Sequence, residues 1–289
     1  MKIAAYPPQE PLSPLGRAYH ERAMAKGEGV VGEEFAYGND PYRQLAVHAA
    51  AKPNGDVLVV FHGGGWTSGW KEWMSFMAPA LNPLGVTFVT AGYRLAPTHL
   101  FPTGFDDAAD AVAWVHANIG AHGGDAARIF VGGHSAGGHY AALLAVTRVW
   151  RDERGLPADV VRGALPVSGV YRFDAASGLT TRPRFLGSQG LDDSALNASP
   201  LLRIKPEVAA PFLVTHGDRD FPHLVVQAAQ MIDALRAVGV PADHHVLEDC
   251  DHFEASLASG DVRSGWPARA AAWMRSVGLN TSTPRGEHP

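Results

Sequence analysis

The sequence predicts an α/β fold in which helices cover both faces of a mostly parallel sheet and an antiparallel hairpin lies near the amino terminus. Short apolar runs alternate with longer segments in which apolar residues recur at helical spacing. That alternation is typical of parallel strands joined by crossover helices. The run at 57–61 is apolar at every position, as expected for a strand covered on both faces. Because no repeat or low-complexity linker interrupts the pattern, residues 1–289 are interpreted as a single domain.

The predicted elements follow in order along the chain. Two alternating stretches, 30–37 and 44–50, flank a Gly-Asn-Asp-Pro turn, which favours the hairpin. Further strands are predicted at 57–61, 86–91, 129–131, 164–167, 212–215 and 245–247, and helices at 105–119, 136–150, 224–238 and 266–277. The proline-rich segment before residue 29 carries one short helix near 16–25, and it either frames the mouth of a site or is a loosely attached terminus.

Composition and charge narrow the classes of partner. Hydrophobic residues make up 46% of the chain and charged residues 18%, which is typical of a soluble globular protein. The net charge is −5 and no basic run occurs, so we expect neither nucleic acid nor a membrane as a partner. No window is apolar enough to span a bilayer, the first residues do not form a signal peptide, and the one cysteine, Cys250, suits a reducing compartment. These observations predict a cytoplasmic protein.

The central motif is the Gly-His-Ser-Ala-Gly sequence at 133–137, which lies between a predicted strand and a predicted helix. Its glycines allow strand and helix to approach closely, and the sharp turn presents the Ser135 hydroxyl at the positive end of the helix. A glycine-rich turn with an incidental serine would give the same five residues. The interpretation of Ser135 as a nucleophile therefore depends on partners elsewhere in the chain.

Candidate partners follow two later strands. A serine becomes a good nucleophile only when a base accepts its proton, and the base needs a carboxylate that holds its tautomer. One predicted strand is followed by Asp218 and Asp220, and the last predicted strand is followed by His252. Because both loops come after the carboxyl ends of strands, we expect them at the same sheet edge as Ser135.

A tetrahedral intermediate also needs hydrogen-bond donors for its oxyanion. The sequence His-Gly-Gly-Gly-Trp at 62–66 follows an apolar strand, and its glycines allow a tight turn and a close approach to substrate. The backbone N–H groups of Gly64 and Gly65, together with that of Ala136 directly after the serine, are the candidate oxyanion hole.

Taken in order, these loops resemble those of the α/β-hydrolase family over residues of roughly 30–277. The runs His-Gly-Gly-Gly and Tyr-Arg-Leu-Ala-Pro, the latter at 93–97, resemble the hormone-sensitive-lipase-like carboxylesterases. Stretches that resemble the arylformamidases (kynurenine formamidases) lie at 133–137, 167–171, 217–227 and 251–254. Those enzymes usually carry a tyrosine at the position of Gly65. The resemblance also implies that Asp220, three residues after Gly217, is the acid rather than Asp218.

The segment 171–199 lacks clear periodicity and is interpreted as an insertion that forms a cap or a pocket wall. The candidate pocket residues are Trp66, Tyr171, Arg172 and Phe185. The segment carries arginines and phenylalanines that either clamp a carboxylate and stack on an aryl ring, or form a solvated basic loop over ordinary core aromatics. These residues are Arg172, Phe173, Arg182, Arg184 and Phe185.

The sequence thus predicts a serine hydrolase that cleaves short-acyl carboxylic esters through Ser135, His252 and Asp220, without a cofactor or a catalytic metal. The alternatives are an arylformamidase acting on N-formyl-kynurenine and a non-catalytic binding protein on a hydrolase fold. His244 and His245 lie at or in a strand where neighbours point to opposite faces, so they cannot bind one ion together and fit the role of base less well than His252. We expect a small-molecule ester or formamide substrate and allow for a homodimer.

Overall fold

The computed structural model describes residues 3–173, 182–187 and 193–279. Its strands are β1 (Glu33–Ala36), β2 (Gln44–His48), β3 (Gly55–Phe61), β4 (Thr87–Ala91), β5 (Gly124–His134), β6 (Gly163–Val167), β7 (Phe212–Gly217) and β8 (Ala242–Leu247). Within those ranges they form one eight-stranded sheet in the order β1-β2-β4-β3-β5-β6-β7-β8. The pairs β1–β2 and β2–β4 are antiparallel, and all other neighbours are parallel. The predicted mostly parallel sheet with an antiparallel amino-terminal pair is confirmed.

Ten α-helices lie in the described part of the chain. They are α1 (Pro14–Lys26), α2 (Ala78–Leu81), α3 (Thr103–Asn118), α4 (Ala136–Val146), α5 (Val149–Glu153), α6 (Arg182–Leu186), α7 (Asp193–Ala198), α8 (Pro222–Ala237), α9 (His252–Ala258) and α10 (Trp266–Leu279). None of these helices has both the length and the apolar character that crossing a membrane would require.

The continuous apolar run of β3 is explained by two cores on opposite faces of the sheet. Val57, Val59 and Phe61 belong to one core, beneath α3, α4 and α8. Leu58 and Val60 belong to the other, beneath α1, α9 and α10. Successive side chains of a strand point to opposite faces, so a strand between two cores must be apolar at every position.

Helix α4 ends earlier than the sequence predicts, and α5 follows as a separate helix. Thr147 adopts an extended conformation (φ −120°) after the last residue of α4. Its hydroxyl donates to the Leu143 carbonyl at 2.6 Å, a local bond that competes with helix continuation. The guanidinium of Arg151 then donates to the carbonyls of Leu144 and Ala145, which have no partner within the helix.

The predicted insertion lies partly outside the described residues, but its two ends are defined. The side-chain oxygen of Gln227 in α8 accepts hydrogen bonds from the amides of Tyr171 at 2.7 Å and Arg172 at 3.0 Å. The hydroxyl oxygen of Ser199 accepts from the amide of Phe173 at 2.9 Å. The first two bonds fix the start of the segment to α8, and the third joins its end to its start. Its interpretation as a cap or pocket wall, like that of a single domain, stays a prediction.

Candidate active site

Ser135 lies at a strained turn between β5 and α4. Its backbone has φ 53° and ψ −113°, a conformation that costs a non-glycine residue on the order of 1–3 kcal/mol. The surrounding structure enforces this geometry, because the Ser135 amide donates to the Val167 carbonyl at 3.0 Å. A Cβ at Gly133 or Gly137 would collide with backbone atoms, so both flanking positions require glycine. The turn raises the Ser135 side chain at the carboxyl edge of the sheet.

A hydrogen-bonded chain joins Ser135, His252 and Asp220. The distance from Ser135 Oγ to His252 Nε2 is 3.0 Å, and that from His252 Nδ1 to Asp220 Oδ1 is 2.8 Å. A carboxylate only accepts, so Nδ1 of the neutral ring donates to Asp220 and Nε2 is left to accept the serine proton. Asp218, the other carboxylate considered from the sequence, is exposed and accepts instead from the amide of Cys250 at 3.1 Å.

The environment of Asp220 keeps the carboxyl ionised. Burial by itself raises its pKa, but the hydrogen bond and charge attraction of His252 outweigh burial, and the Ser168 hydroxyl and the amide of Phe221 add to the effect. The pKa of Asp220 falls to about 2 as a result. Asp220 is therefore an anion at neutral pH, as a group that orients an imidazole should be.

Buried polar atoms without hydrogen-bond partners lie around the acid, among them Asp220 Oδ2, Ser168 Oγ and Tyr171 Oη. Ser168 has the left-handed backbone angle φ 53°, and its amide donates to the Thr215 carbonyl at 2.8 Å. Its hydroxyl lies close enough to the carboxylate to help lower the pKa of Asp220. Packing alone does not explain why Ser168 has a strained backbone and a buried hydroxyl beside the acid.

The glycine-rich loop before Trp66 turns tightly beside Ser135. Gly64, Gly65 and Trp66 all have positive φ, at 114°, 62° and 64°. The Gly64 carbonyl accepts from the amides of Thr67 and Ser68, which fixes the loop. In the described ranges, the amides of Gly64, Gly65 and Ala136 have no protein acceptor. Gly64 and Gly65 also line the cavity that contains Ser135.

The buried His62 side chain holds the start of this loop in place. Its ring stacks on Tyr93 with centroids 4.3 Å apart, and the Tyr93 hydroxyl donates to the His62 carbonyl at 2.7 Å. Nδ1 of His62 donates to the Gly63 carbonyl at 2.6 Å, and burial lowers the pKa of His62 to about 4. The neutral ring thus orients its own loop.

A cavity of about 330 Å³ opens above Ser135. Its wall includes Glu10, Pro11, Leu12, Ser13, Gly16, Tyr19, Trp73, His134, Arg184, Phe221, His252 and Phe253. The amino-terminal segment therefore frames the mouth, which is one of the two alternatives that the sequence left open. A larger hollow of about 700 Å³ lies among residues that precede β6, β7 and β8, and no member of the Ser135 chain reaches it.

The four candidate pocket residues lie elsewhere. Trp66, Tyr171 and Phe185 are at most 2% exposed, and none of them, nor Arg172, lines the cavity. Trp66 stacks on Phe185 with centroids 4.4 Å apart, and its indole N–H donates to His139 at 3.1 Å. Large aromatic rings gain free energy from full burial, so these side chains form the core behind the cavity wall. The side chain of Arg182 lies outside the described residues.

His134, which the sequence did not select, does line the cavity. Its Nε2 donates to the His252 carbonyl at 2.8 Å, and the two rings are 4.6 Å apart between centroids. Burial, followed by repulsion from His252, lowers the pKa of His134 to about 3. The ring is therefore neutral at pH 7 and holds the backbone of His252 without adding charge.

The described side chains do not form a metal-binding cluster. Within residues 3–173, 182–187 and 193–279, no group of three or more His, Cys, Asp or Glu side chains could hold a metal ion. His244 contacts His216, with their Nε2 atoms 2.9 Å apart, but no third side chain of these types completes the pair. That no metal or cofactor takes part stays a prediction.

Sequence comparison identifies the family to which this geometry belongs. Residues 58–255 match a family model described as the alpha/beta hydrolase fold, and the chain belongs to this family. Esterase LipC of Mycobacterium tuberculosis is 31% identical over 248 residues, which cover 81% of this chain and 60% of that protein. The probable carboxylic ester hydrolase LipM of the same organism is 36% identical over 201 residues, covering 63% of this chain and 45% of LipM. The chain thus spans only 45% to 60% of the length of these relatives.

Solved structures share the fold over most of their length. The carboxylesterase EstE1, cloned from a metagenomic library, superposes with a TM-score of 0.74 at 23% identity, covering 96% of this chain and 99% of its own. A hyperthermophilic esterase from Pyrobaculum calidifontis gives 0.73 at 23% identity, covering 92% of this chain and 98% of its own. The predicted α/β-hydrolase fold is confirmed. None of these four proteins is named as a formamidase.

Proposed function

We propose that the protein is a carboxylic ester hydrolase in which Ser135, His252 and Asp220 form a catalytic triad. The observation that carries this proposal is the continuous hydrogen-bonded chain from Ser135 Oγ through His252 to Asp220, with distances of 3.0 Å and 2.8 Å, at the floor of an open cavity. A protein that only binds a ligand does not require a strained serine in contact with an oriented imidazole.

Acylation follows from this arrangement. Ser135 Oγ attacks the ester carbonyl carbon while its proton passes to His252 Nε2. The imidazolium that forms is stabilised by Asp220, which already accepts a hydrogen bond from Nδ1. The carbonyl oxygen becomes an oxyanion and accepts hydrogen bonds from the amides of Gly64, Gly65 and Ala136. When the intermediate collapses, the alcohol leaves with the proton from His252 Nε2, and the acyl group stays on Ser135.

Deacylation repeats these steps with water as the nucleophile. His252 Nε2 accepts a proton from the water that attacks the acyl carbon, and the same amides stabilise the second oxyanion. Collapse returns the proton from His252 to Ser135 Oγ and releases the carboxylic acid. Each atom of the triad ends as it began.

The cavity favours small substrates. Its volume of about 330 Å³ lies at the lower end of the range for ligand pockets, roughly 300–1,000 Å³, which suits a short acyl group and a small alcohol. The esterase names of LipC and LipM agree with ester chemistry. Because Gly65 has no side chain to contact a formyl group, we propose short-acyl esters rather than N-formyl-kynurenine.

The proposal is tested with p-nitrophenyl acetate and butyrate beside N-formyl-kynurenine. We expect a burst of p-nitrophenol equal to the enzyme concentration, an acyl group on Ser135 by mass spectrometry, and a higher kcat/KM for the esters. Ser135→Ala should lower kcat by about 10⁶-fold, whereas the control Ser276→Ala on α10 should not. A folded Ser135→Ala variant with near-native activity would refute the triad, and a higher kcat/KM for the formamide would refute the ester preference. A cytoplasmic location, a homodimer and the absence of nucleic acid or membrane partners stay predictions.

A further inference from the structure

An ion pair crosses the mouth of the cavity. The Glu10 carboxylate lies 2.9 Å from a guanidinium nitrogen of Arg184, which joins the amino-terminal segment to α6. Both residues line the same cavity as Ser135. Their side chains are 25% and 47% exposed, so solvent and substrate reach them.

The chain beside each of the two charged residues is anchored to the rest of the structure. Gln9, directly before Glu10, makes two hydrogen bonds of 2.8 Å to the backbone of Gly69, one through each atom of its amide group. On the other side, Phe185 directly after Arg184 is buried against Trp66 and accepts a backbone hydrogen bond from Phe101 at 3.0 Å. The backbone beside each charged residue is therefore anchored, which keeps the two side chains within reach of each other at the mouth.

The pair also decides the charge of the cavity. Among the lining residues that the structure describes, Glu10 and Arg184 are the only ones with an Asp, Glu, Lys or Arg side chain. His134 is neutral because burial lowers its pKa to about 3. The charges of these two lining groups thus cancel, and the loss of either one shifts the charge at the mouth by one unit.

We propose that the Glu10–Arg184 pair sets the charge selectivity of the cavity, so that the native protein prefers esters without a charged group. This proposal rests on the esterase function proposed above. A charged group on a substrate would lose water at the mouth without meeting an unpaired counter-ion, or would have to displace one partner of the pair. Removing Glu10 frees Arg184 to attract an anionic substrate, and removing Arg184 frees Glu10 to attract a cationic one.

The test compares three p-nitrophenyl esters of similar length: the neutral pentanoate, the anionic hemiglutarate and the cationic 4-(trimethylammonio)butyrate. Since the orientation of substrate decides which end meets the pair, a second series carries the charge on the alcohol. In at least one series, Glu10→Gln should raise the anionic-to-neutral ratio of kcat/KM about 5- to 10-fold, and Arg184→Gln should raise the cationic-to-neutral ratio by a similar factor. Both shifts should shrink in 0.5 M NaCl, because salt screens partly exposed charges.

Two controls separate charge from structure. The double variant Glu10→Gln/Arg184→Gln and the swapped variant Glu10→Arg/Arg184→Glu should both return the ratios towards the native values. If each single variant changes all substrates by the same factor, or if neither ratio moves in either series, the pair has no selective role. Dissociation constants of the same esters, measured by tryptophan fluorescence in the Ser135→Ala background, should shift in the same directions. That binding measurement decides the proposal even if the native protein hydrolyses no ester, a result that would refute only the esterase function.

Discussion

The floor and the mouth of the cavity are built in different ways. The floor consists of loops that directly follow strands: Ser135 after β5, Asp220 after β7 and His252 after β8. The mouth is formed by the segment before α1 and by α6, which are held by side-chain contacts such as the Gln9 clamp and the Glu10–Arg184 pair. The proposed chemistry therefore depends on sheet register, whereas access to the cavity depends on contacts between segments far apart in the chain.

The largest effect that tests this comparison is expected at Asp220. Asp220→Asn should lower kcat about 10⁴-fold, because the asparagine no longer holds the tautomer of His252 that accepts the serine proton. Asp218→Asn serves as the matched control two residues away, since Asp218 is exposed and does not contact His252. Steady-state kinetics with a p-nitrophenyl ester measures both variants. A larger loss of kcat in Asp218→Asn than in Asp220→Asn would show that Asp218, and not Asp220, orients His252.

A smaller effect on kcat is expected behind the acid, at Ser168. Removing its hydroxyl takes away part of the stabilisation of the Asp220 charge, so Ser168→Ala should lower kcat about 10-fold with little change in KM. Ser168→Gly removes the same hydroxyl but relieves the positive φ, so it should lower kcat as much while raising the stability of the fold. Tyr171→Phe removes a neighbouring buried hydroxyl and should cost less. If Ser168→Gly keeps full activity, the hydroxyl has no positioning role.

Much of the floor could be predicted from the sequence because its determinants are local. The run 57–61 is apolar at each position because the sheet separates two cores, and a glycine pattern at a strand end is specific for a sharp turn. Helix α9 was missed although its signal was present: Asp251 caps the helix and Glu254 bonds back to the Asp251 amide, a capping box that begins just before His252. Reading that signal would have placed His252 at a helix start.

The mouth could not be predicted in the same way. Nothing in the proline-rich segment before α1 indicates that Gln9 contacts Gly69 or that Glu10 meets Arg184, because such contacts depend on how distant segments pack. The sequence also predicts Trp66 and Phe185 in the pocket, whereas the structure buries both rings in the core behind the cavity wall, where large aromatic rings gain free energy from burial. Both features depend on long-range packing, which leaves no periodic pattern in the sequence.

As pH falls, the free energy of unfolding should decrease before the Asp220 carboxylate is protonated. Burial lowers the pKa values of His48, His62 and His139 to about 4 and that of His134 to about 3. In the unfolded chain a histidine binds its proton near pH 6.5, so the unfolded state takes up more protons as pH falls from about 6.5 to about 4. Stability is therefore complete above about pH 6.5 and declines through this window, by up to about 1.4 kcal/mol per pH unit for each histidine.

Urea unfolding at pH 7.5 and pH 5 measures this decline. The urea midpoint should be lower at pH 5 than at pH 7.5. The difference should be smaller in His48→Gln, because this variant lacks one of the four buried histidines, and His48 does not line the cavity. Asp220 does not contribute between pH 7.5 and pH 5, because its carboxyl is ionised both in the folded state, with a pKa of about 2, and in the unfolded chain, with a pKa of about 3.9. An unfolding midpoint that is the same at both pH values would contradict the neutral, buried state of these histidines.

The smallest effect is expected at the mouth, where Gln9→Ala should raise KM about 3- to 10-fold and leave kcat nearly unchanged. The substitution removes both hydrogen bonds to Gly69, each worth about 0.5–1.5 kcal/mol, and so loosens the wall next to the glycine-rich loop without touching the triad. Asn82→Ala is a matched control, because the Asn82 amide also makes two backbone bonds, to His48 at 2.8 Å and Val86 at 2.9 Å, but lies away from the cavity. Asn82→Ala should lower the urea midpoint and leave KM unchanged. If Gln9→Ala instead lowers kcat with KM unchanged, the amino-terminal segment acts on the floor, and the separation of floor from mouth does not hold.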